Sequence, residues 1–177
     1  MIAKLMMAGW LPALLLACAA QFSASAALAA QTVAVFPFEL LDQSQDGELI
    51  IKIRPEESKR LAALTQDLKA RLTASKAYEI VELSQFAAEI KTASPLHKCD
   101  SCLADLAAKS GAQIAMLGLV QKFSDTLLSV SIQIIDAKTG TVKNSYSVGV
   151  QGNTDEAWLR GVSYIARNKM MIAGASQ

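Results

Sequence analysis

Two kinds of apolar spacing alternate along the chain after residue 30. Residues 32–38, Thr-Val-Ala-Val-Phe-Pro-Phe, are nearly continuously apolar, which predicts a strand buried on both faces, with Pro37 marking its end or a bulge. Residues 43–54 read as a polar loop interrupted by Leu49-Ile-Ile51. Leu61, Leu64, Leu68 and Leu72 then recur at helical spacing. Pro55 stands where a first helical residue belongs, and Glu56 and Glu57 suit a first turn, so the helix is predicted from Pro55 to about Ser75. Residues 78–83 predict a short second strand. Ser84 is placed to cap a short helix to about Lys91, and Pro95 breaks the chain. A third helix is predicted from Asp100 or Ser101, burying Leu103, Leu106 and Ala107 and stopping at Gly111.

The last third is richer in strand pattern. Residues 112–120 are again continuously apolar, whereas Leu128, Val130, Ile132 and Ile134 alternate with Ser129, Ser131 and Gln133, the signature of one buried face. Asp136-Ala-Lys-Thr-Gly140 predicts a hairpin turn with glycine at the left-handed position, and residues 142–150 return as a strand. Asn153 and Glu156 are spaced as a capping-box pair for a final helix whose core face is Trp158, Leu159, Val162, Ile165 and Ala166. The order β-α-β-(αα)-β-β-β-α, with right-handed crossovers, predicts one α/β domain over residues 30–177. Its five-stranded mixed sheet has the order 2-1-3-4-5, the fourth strand runs against the others, and helices cover both faces.

The first thirty residues follow a different logic. One positive charge at Lys4 precedes an apolar run over residues 5–20 that Pro12 interrupts, and small residues follow through Ala30. The run is shorter than the roughly 20 residues that a spanning helix needs. Positive start, apolar middle and Ala27-Leu-Ala29 describe a secretory signal peptide over residues 1–29, with cleavage after Ala29. Leu15-Leu-Ala-Cys18 also resembles a lipobox, so acylation of Cys18 is one alternative and a retained anchor another. The mature chain carries no membrane span on this reading, and its compartment is the periplasm.

Three segments carry a resemblance. Val33-Ala-Val-Phe-Pro-Phe38, Gly111-Ala-Gln-Ile-Ala-Met-Leu-Gly118 and Ile135-Asp-Ala-Lys-Thr-Gly140 are similar to the N-terminal domain of the TolB translocation proteins and to the CsgG-like curli-secretion lipoproteins. Phe38-Glu-Leu-Leu-Asp42 and the ending Gln151-Gly-Asn-Thr-Asp-Glu-Ala-Trp-Leu-Arg-Gly161 resemble an uncharacterised family of small secreted proteobacterial proteins. The resemblance implies a TolB N-terminal-like α/β module used for interactions in envelope assemblies. It implies no chemistry and no cofactor. No β-propeller sequence follows the module, so TolB's own role does not transfer.

Composition and charge narrow the partners. The 177 residues are 52% apolar and 19% charged, a folding composition. Loss of the signal removes one of 17 basic side chains and none of 16 acidic ones, and the resulting balance gives no reason to expect nucleic acid. The single histidine, His97, excludes His-rich metal sites and leaves a Ser-His-Asp triad dependent on itself alone. Cys99 and Cys102 are the cysteines that remain after processing; an oxidising compartment predicts a disulfide between them. C-x-x-C at a helix start is also the spacing of thiol-disulfide proteins, and His97 with both cysteines offers three metal donors without a fourth.

Ligands of open α/β sheets bind at the carboxyl ends of the parallel strands. Glu39 and Asp42, read as loop residues after the first strand, belong to that edge. So do Cys99 and Cys102 at the start of the third helix, and Asn153 and Asp155 after the last strand. Arg160 follows on the outer face of the last helix, with Trp158 beneath it as support. These residues form the candidate rim for a partner or ligand, and no catalytic residue is assigned. The expected function is a non-enzymatic interaction or assembly module of the cell envelope that binds an envelope protein at this edge. The alternative is a periplasmic thiol-disulfide protein using Cys99 and Cys102.

Overall fold

In the computed structural model, which describes residues 30–44, 53–99 and 101–170, the first apolar run does not form one strand. β1 (Gln31–Val35) ends and β2 (Glu39–Asp42) begins on either side of Pro37, which has no N–H to give a ladder. Both pair in parallel with β4 (Ile114–Lys122). Val35 lies beside Met116 and Glu39 beside Leu119, so four steps on one side match three on the other. This one-residue bulge changes which way the chain faces. Phe36 packs with Ala34 on one side of the sheet, and Phe38 packs with Val33 and Val35 on the other. Gly118 makes room for the turn, since a Cβ there would collide with the Phe38 ring.

The remaining strands are β3 (Tyr78–Val81), β5 (Leu127–Asp136) and β6 (Val142–Gln151). The sheet runs β3-β1-β4-β5-β6, with β2 extending the line of β1 beside β4. β3, β1 and β4 are parallel, β5 opposes β4, and β6 opposes β5. The expected order and directions therefore hold, but the sheet has six strands rather than five. Glu39 and Asp42 lie on a strand, not in a loop. The bulge is the physical reason for both corrections, because it lets the chain rejoin β4 after Pro37.

Two helical layers close the sheet. α1 (Pro55–Ser75) buries Leu61, Leu64, Leu68 and Leu72 on the face of Val33 and Met116. Burial of a leucine stabilises by roughly 1.5–3 kcal/mol, so these four anchor the helix. α4 (Asp155–Tyr164) covers the same face with Trp158 and Val162, and a π-turn over Ile165–Lys169 extends it. α2 (Ala87–Ala93) and α3 (Cys102–Lys109) cover the opposite face through Ile90, Leu103 and Leu106. The Asp136 turn closes with Gly140 at φ 70°, as its sequence predicts.

Two local expectations are corrected. Residues 84–91 are not one capped helix: Ser84–Phe86 forms a 3-10 turn without a side-chain cap, and α2 follows it. α4 is capped by Thr154, whose hydroxyl accepts the Ala157 N–H at 3.2 Å, instead of by an Asn153–Glu156 box. The expected signal segment with Cys18, and residues 45–52 of the expected loop, lie outside the described residues. Among the described residues no helix is long and apolar enough to cross a membrane.

Candidate functional site: a polar rim and an edge groove

The carboxyl ends of β2 and β4 meet the start of α1 and the approach to α4. Lys122, last in β4, points to the same side as Val120 and is 6% exposed. Its ammonium lies 3.2 Å from Asp42, 3.4 Å from Glu57 and 3.2 Å from Asp125. Asp42 is its partner in the β2–β4 register, so strand pairing itself sets that contact.

Glu57 is the centre of the cluster. Its Oε1 accepts from the Arg54 guanidinium at 2.6 Å and from the Asn153 amide at 3.2 Å, and its Oε2 accepts the Arg54 backbone N–H at 3.1 Å. The last bond is half of a capping box at the start of α1. Burial alone would raise the Glu57 pKa. The Arg54 bonds, Asn153 and Lys122 outweigh it and hold the carboxyl down to about 2. Burial likewise opposes ionisation of Asp42, yet Ser44 and Lys122 keep its pKa below the usual value. Lys122 is shifted upward: burial works against its charge, and Asp125, Asp42 and Glu57 favour it.

Asn153 carries the network across the rim, donating also to Asp125 at 3.3 Å and accepting from Arg60 at 2.9 Å. The other edge of the Arg60 guanidinium meets Asp155 at 2.6 Å, and its carbon lies 5.7 Å from the Trp158 ring centre. The residue stacked on Trp158 is thus Arg60 of α1. Arg160 instead pairs with Glu156 at 2.6 Å, one turn away on α4, and its side chain stays 66% exposed. Trp158 is fully buried, so it packs beneath the rim and does not meet a partner directly.

A second arrangement lies on the other side of β2. The bulge turns Glu39 toward the 3-10 turn Leu96–Lys98. Its carboxylate accepts the Leu96 N–H at 2.6 Å and the His97 N–H at 3.0 Å, and lies 2.6 Å from His97 Nδ1. His97 Nε2 is buried without a partner among the described residues. Cys99 follows this turn and is disulfide-bonded to Cys102, the first residue of α3, with 5.6 Å between their Cα atoms. Between the two arrangements runs a groove of 430 Å³, bordered by β2, by Leu61 of α1 and by the 3-10 turn.

The structure therefore brings Asp42, Asn153 and Asp155 into one bonded network, holds Glu39 with His97 beside it, and leaves Arg160 outside. Arg54, Glu57, Arg60, Lys122 and Asp125 are the rim residues that the sequence reading missed. Lys122 carries a usable signal, since it lies two residues past inward-facing Val120. Asp125 carries none, because Arg54 and Asn153 reach it from distant segments and its nearby partner Lys122 is itself placed by the β2–β4 register.

These features define a class: a single α/β domain with a mixed sheet, two helical layers and a charged rim. Residues 31–170 match the family described as "Protein of unknown function (DUF2380)", and the chain belongs to that family. No curated protein matches the chain. Among solved structures it is similar to lipoprotein GNA1162 from Neisseria meningitidis, with 14% identity, 80% of this chain and 98% of that one covered, and a TM-score of 0.50. The C-terminal domain of LpoB from Salmonella enterica gives 17% identity, 72% and 87% coverage and a TM-score of 0.48. TolB from Acinetobacter baumannii gives 13% identity and a TM-score of 0.43, with 78% of this chain matching 28% of that one.

Proposed function

We propose that the protein is an exported, non-enzymatic interaction module of the bacterial cell envelope, periplasmic after removal of residues 1–29, that binds a protein partner at this rim. The observation that carries the reading is the state of the rim's polar groups. Asp42, Glu57, Lys122, Asn153 and Arg60 are consumed by one another, and they stiffen the meeting point of β2, β4, α1 and the approach to α4. A frame locked by its own ion pairs suits docking more than proton transfer. GNA1162, a lipoprotein of similar fold, agrees with an envelope setting. Arg160 is the preferred contact, because arginine is among the residues that concentrate binding energy and this one is exposed.

The test is capture from periplasm by in vivo cross-linking, with mass spectrometry of the mature N-terminus to fix the processing site. Arg160→Ala and the folded double variant Arg160→Ala/Glu39→Ala are expected to lose a partner that the unaltered protein retains. Equal capture by all three overturns the assignment of the site.

A further inference from the structure

The groove beside β2 has the form of a missing strand. β3 pairs with β1 only over Gln31–Ala34, so among the described residues no strand lies beside β2 on the side away from β4. Six consecutive residues, Pro37 through Asp42, line the groove, which means that it looks onto the strand edge rather than onto one face. Its walls come from the two helical layers, with Leu61 of α1 on one side and Leu96 on the other.

The hydrogen-bond parity of β2 follows from its end. Gln43 N–H donates to Lys122 C=O at 2.8 Å. In a parallel ladder alternate residues turn to the same neighbour, so Glu39 and Leu41 also bond toward β4. The N–H and C=O groups of Leu40 and Asp42 then point the other way, into the groove. Phe38 shows the same parity, its N–H turning away from β4 to the Thr65 hydroxyl at 3.0 Å. Past it the edge offers backbone groups of Leu40 and Asp42 between largely apolar walls.

Charge selects the occupant. Of the groove's acidic groups, Asp42 is paired with Lys122 and Glu39 with His97. The charge left without a partner among the described lining residues is the exposed ammonium of Lys98. We infer that β2 is a strand-addition site for an extended, largely apolar segment of a partner protein that carries an acidic side chain toward Lys98. The inference rests on the interaction reading above and specifies where and how one partner segment is held.

The experiment uses ¹⁵N-labelled protein purified after export. The probe is a soluble peptide of alternating valine and threonine with one glutamate. Two control peptides are used: one N-methylated at alternate amides, and one with lysine in place of the glutamate. The first peptide is expected to shift and protect the Leu40 and Asp42 amides, and N-methylation to weaken binding about tenfold or more, since strand addition depends on backbone hydrogen bonds. Lys98→Glu is expected to reverse the preference between the glutamate and lysine peptides. Shifts confined to the outer edges of β3 or β6, or equal binding by the N-methylated peptide, overturn the inference. So does finding that the Leu40 and Asp42 amides are protected in the free protein and released by Leu49→Ser/Ile51→Ser, which would make the chain itself the occupant. A protein that still captures its partner through Arg160 while ignoring these peptides refutes the strand site and leaves the interaction reading standing.

Discussion

The Lys122 ammonium lies 3.4 Å from the Glu57 carboxylate, and both side chains are almost wholly withdrawn from water, at 7% and 2% exposed. The two residues are 65 positions apart. One ends the central strand, and the other sits in the first turn of α1. Their pairing fixes α1 over the carboxyl end of the sheet, where Asp42 and Asp125 complete the shell around the ammonium.

Lys122→Met is expected to destabilise the fold by about 3–5 kcal/mol, because it removes the cation from Asp42 and one of two cations from the buried Glu57, which keeps Arg54. Urea unfolding measures this directly. Adding Glu57→Gln to Lys122→Met should recover part of the loss, since the two residues act as a coupled pair. An unchanged midpoint in the single variant would show that water or rearrangement replaces the ammonium.

Acid should loosen the same corner. The Glu57 pKa falls from 4.5 in the unfolded chain to about 2 in the fold. A depressed carboxylate pKa contributes stability that is full above 4.5 and is lost as pH falls through 2. Asp42 is shifted in the same direction. The Glu57 contribution is roughly 2–4 kcal/mol. Urea midpoints between pH 7 and pH 2 should therefore fall steeply below pH 4.5, and Glu57→Gln should flatten that part of the curve. A Glu57→Gln protein with an unaltered acid limb would count against this account.

The parts of the fold that the sequence reveals are those in which one spacing dominates. The four leucines of α1 and the β5 alternation lead to elements whose places agree with their patterns. The break between β1 and β2 is visible only as Pro37, because a proline marks an interruption without saying whether the chain leaves the sheet or rejoins it. The candidate site is harder to read. Asp42, Asn153 and Asp155 are placed by topology alone, but their partners Lys122, Glu57 and Arg60 come from segments whose mutual distance depends on strand register and helix packing. Asn153 shows the conflict most clearly: its local pattern suits a helix cap, and a tertiary bond to Arg60 takes its side chain instead.

Gly118→Ala tests the bulge. The added Cβ meets the Phe38 ring, which sits against Gly118 in the core. Overpacking of this kind costs about 1–3 kcal/mol. Gly149→Ala is the control, because that position has open space around it and lies on the exposed strand β6. Thermal unfolding should separate the two, and trimming the ring with Phe38→Leu should relieve part of the Gly118→Ala defect. Equal melting temperatures for the two alanine variants would mean that the Phe38 ring can move aside without cost.

The two arginines that pair with acidic residues of α4 make opposite predictions, and the sequence reading singles out only Arg160. Trp158 is fully buried, so Trp158→Ala should cost about 3–5 kcal/mol through the cavity it leaves. Arg60 is 15% exposed, stacks on that ring and holds both Asn153 and Asp155, so Arg60→Ala should cost about 1–2 kcal/mol by removing charged hydrogen bonds and a cation–π contact. Arg160 is exposed and, among the described residues, tied only to Glu156 within its own helix, and its loss should change stability by less than about 0.5 kcal/mol. Urea unfolding of the three single variants should give the order Trp158, Arg60, Arg160. If Arg160→Ala proves as damaging as Arg60→Ala, Arg160 has a structural duty that its single ion pair with Glu156 does not account for, and its use as a fold-neutral probe of partner binding fails with it.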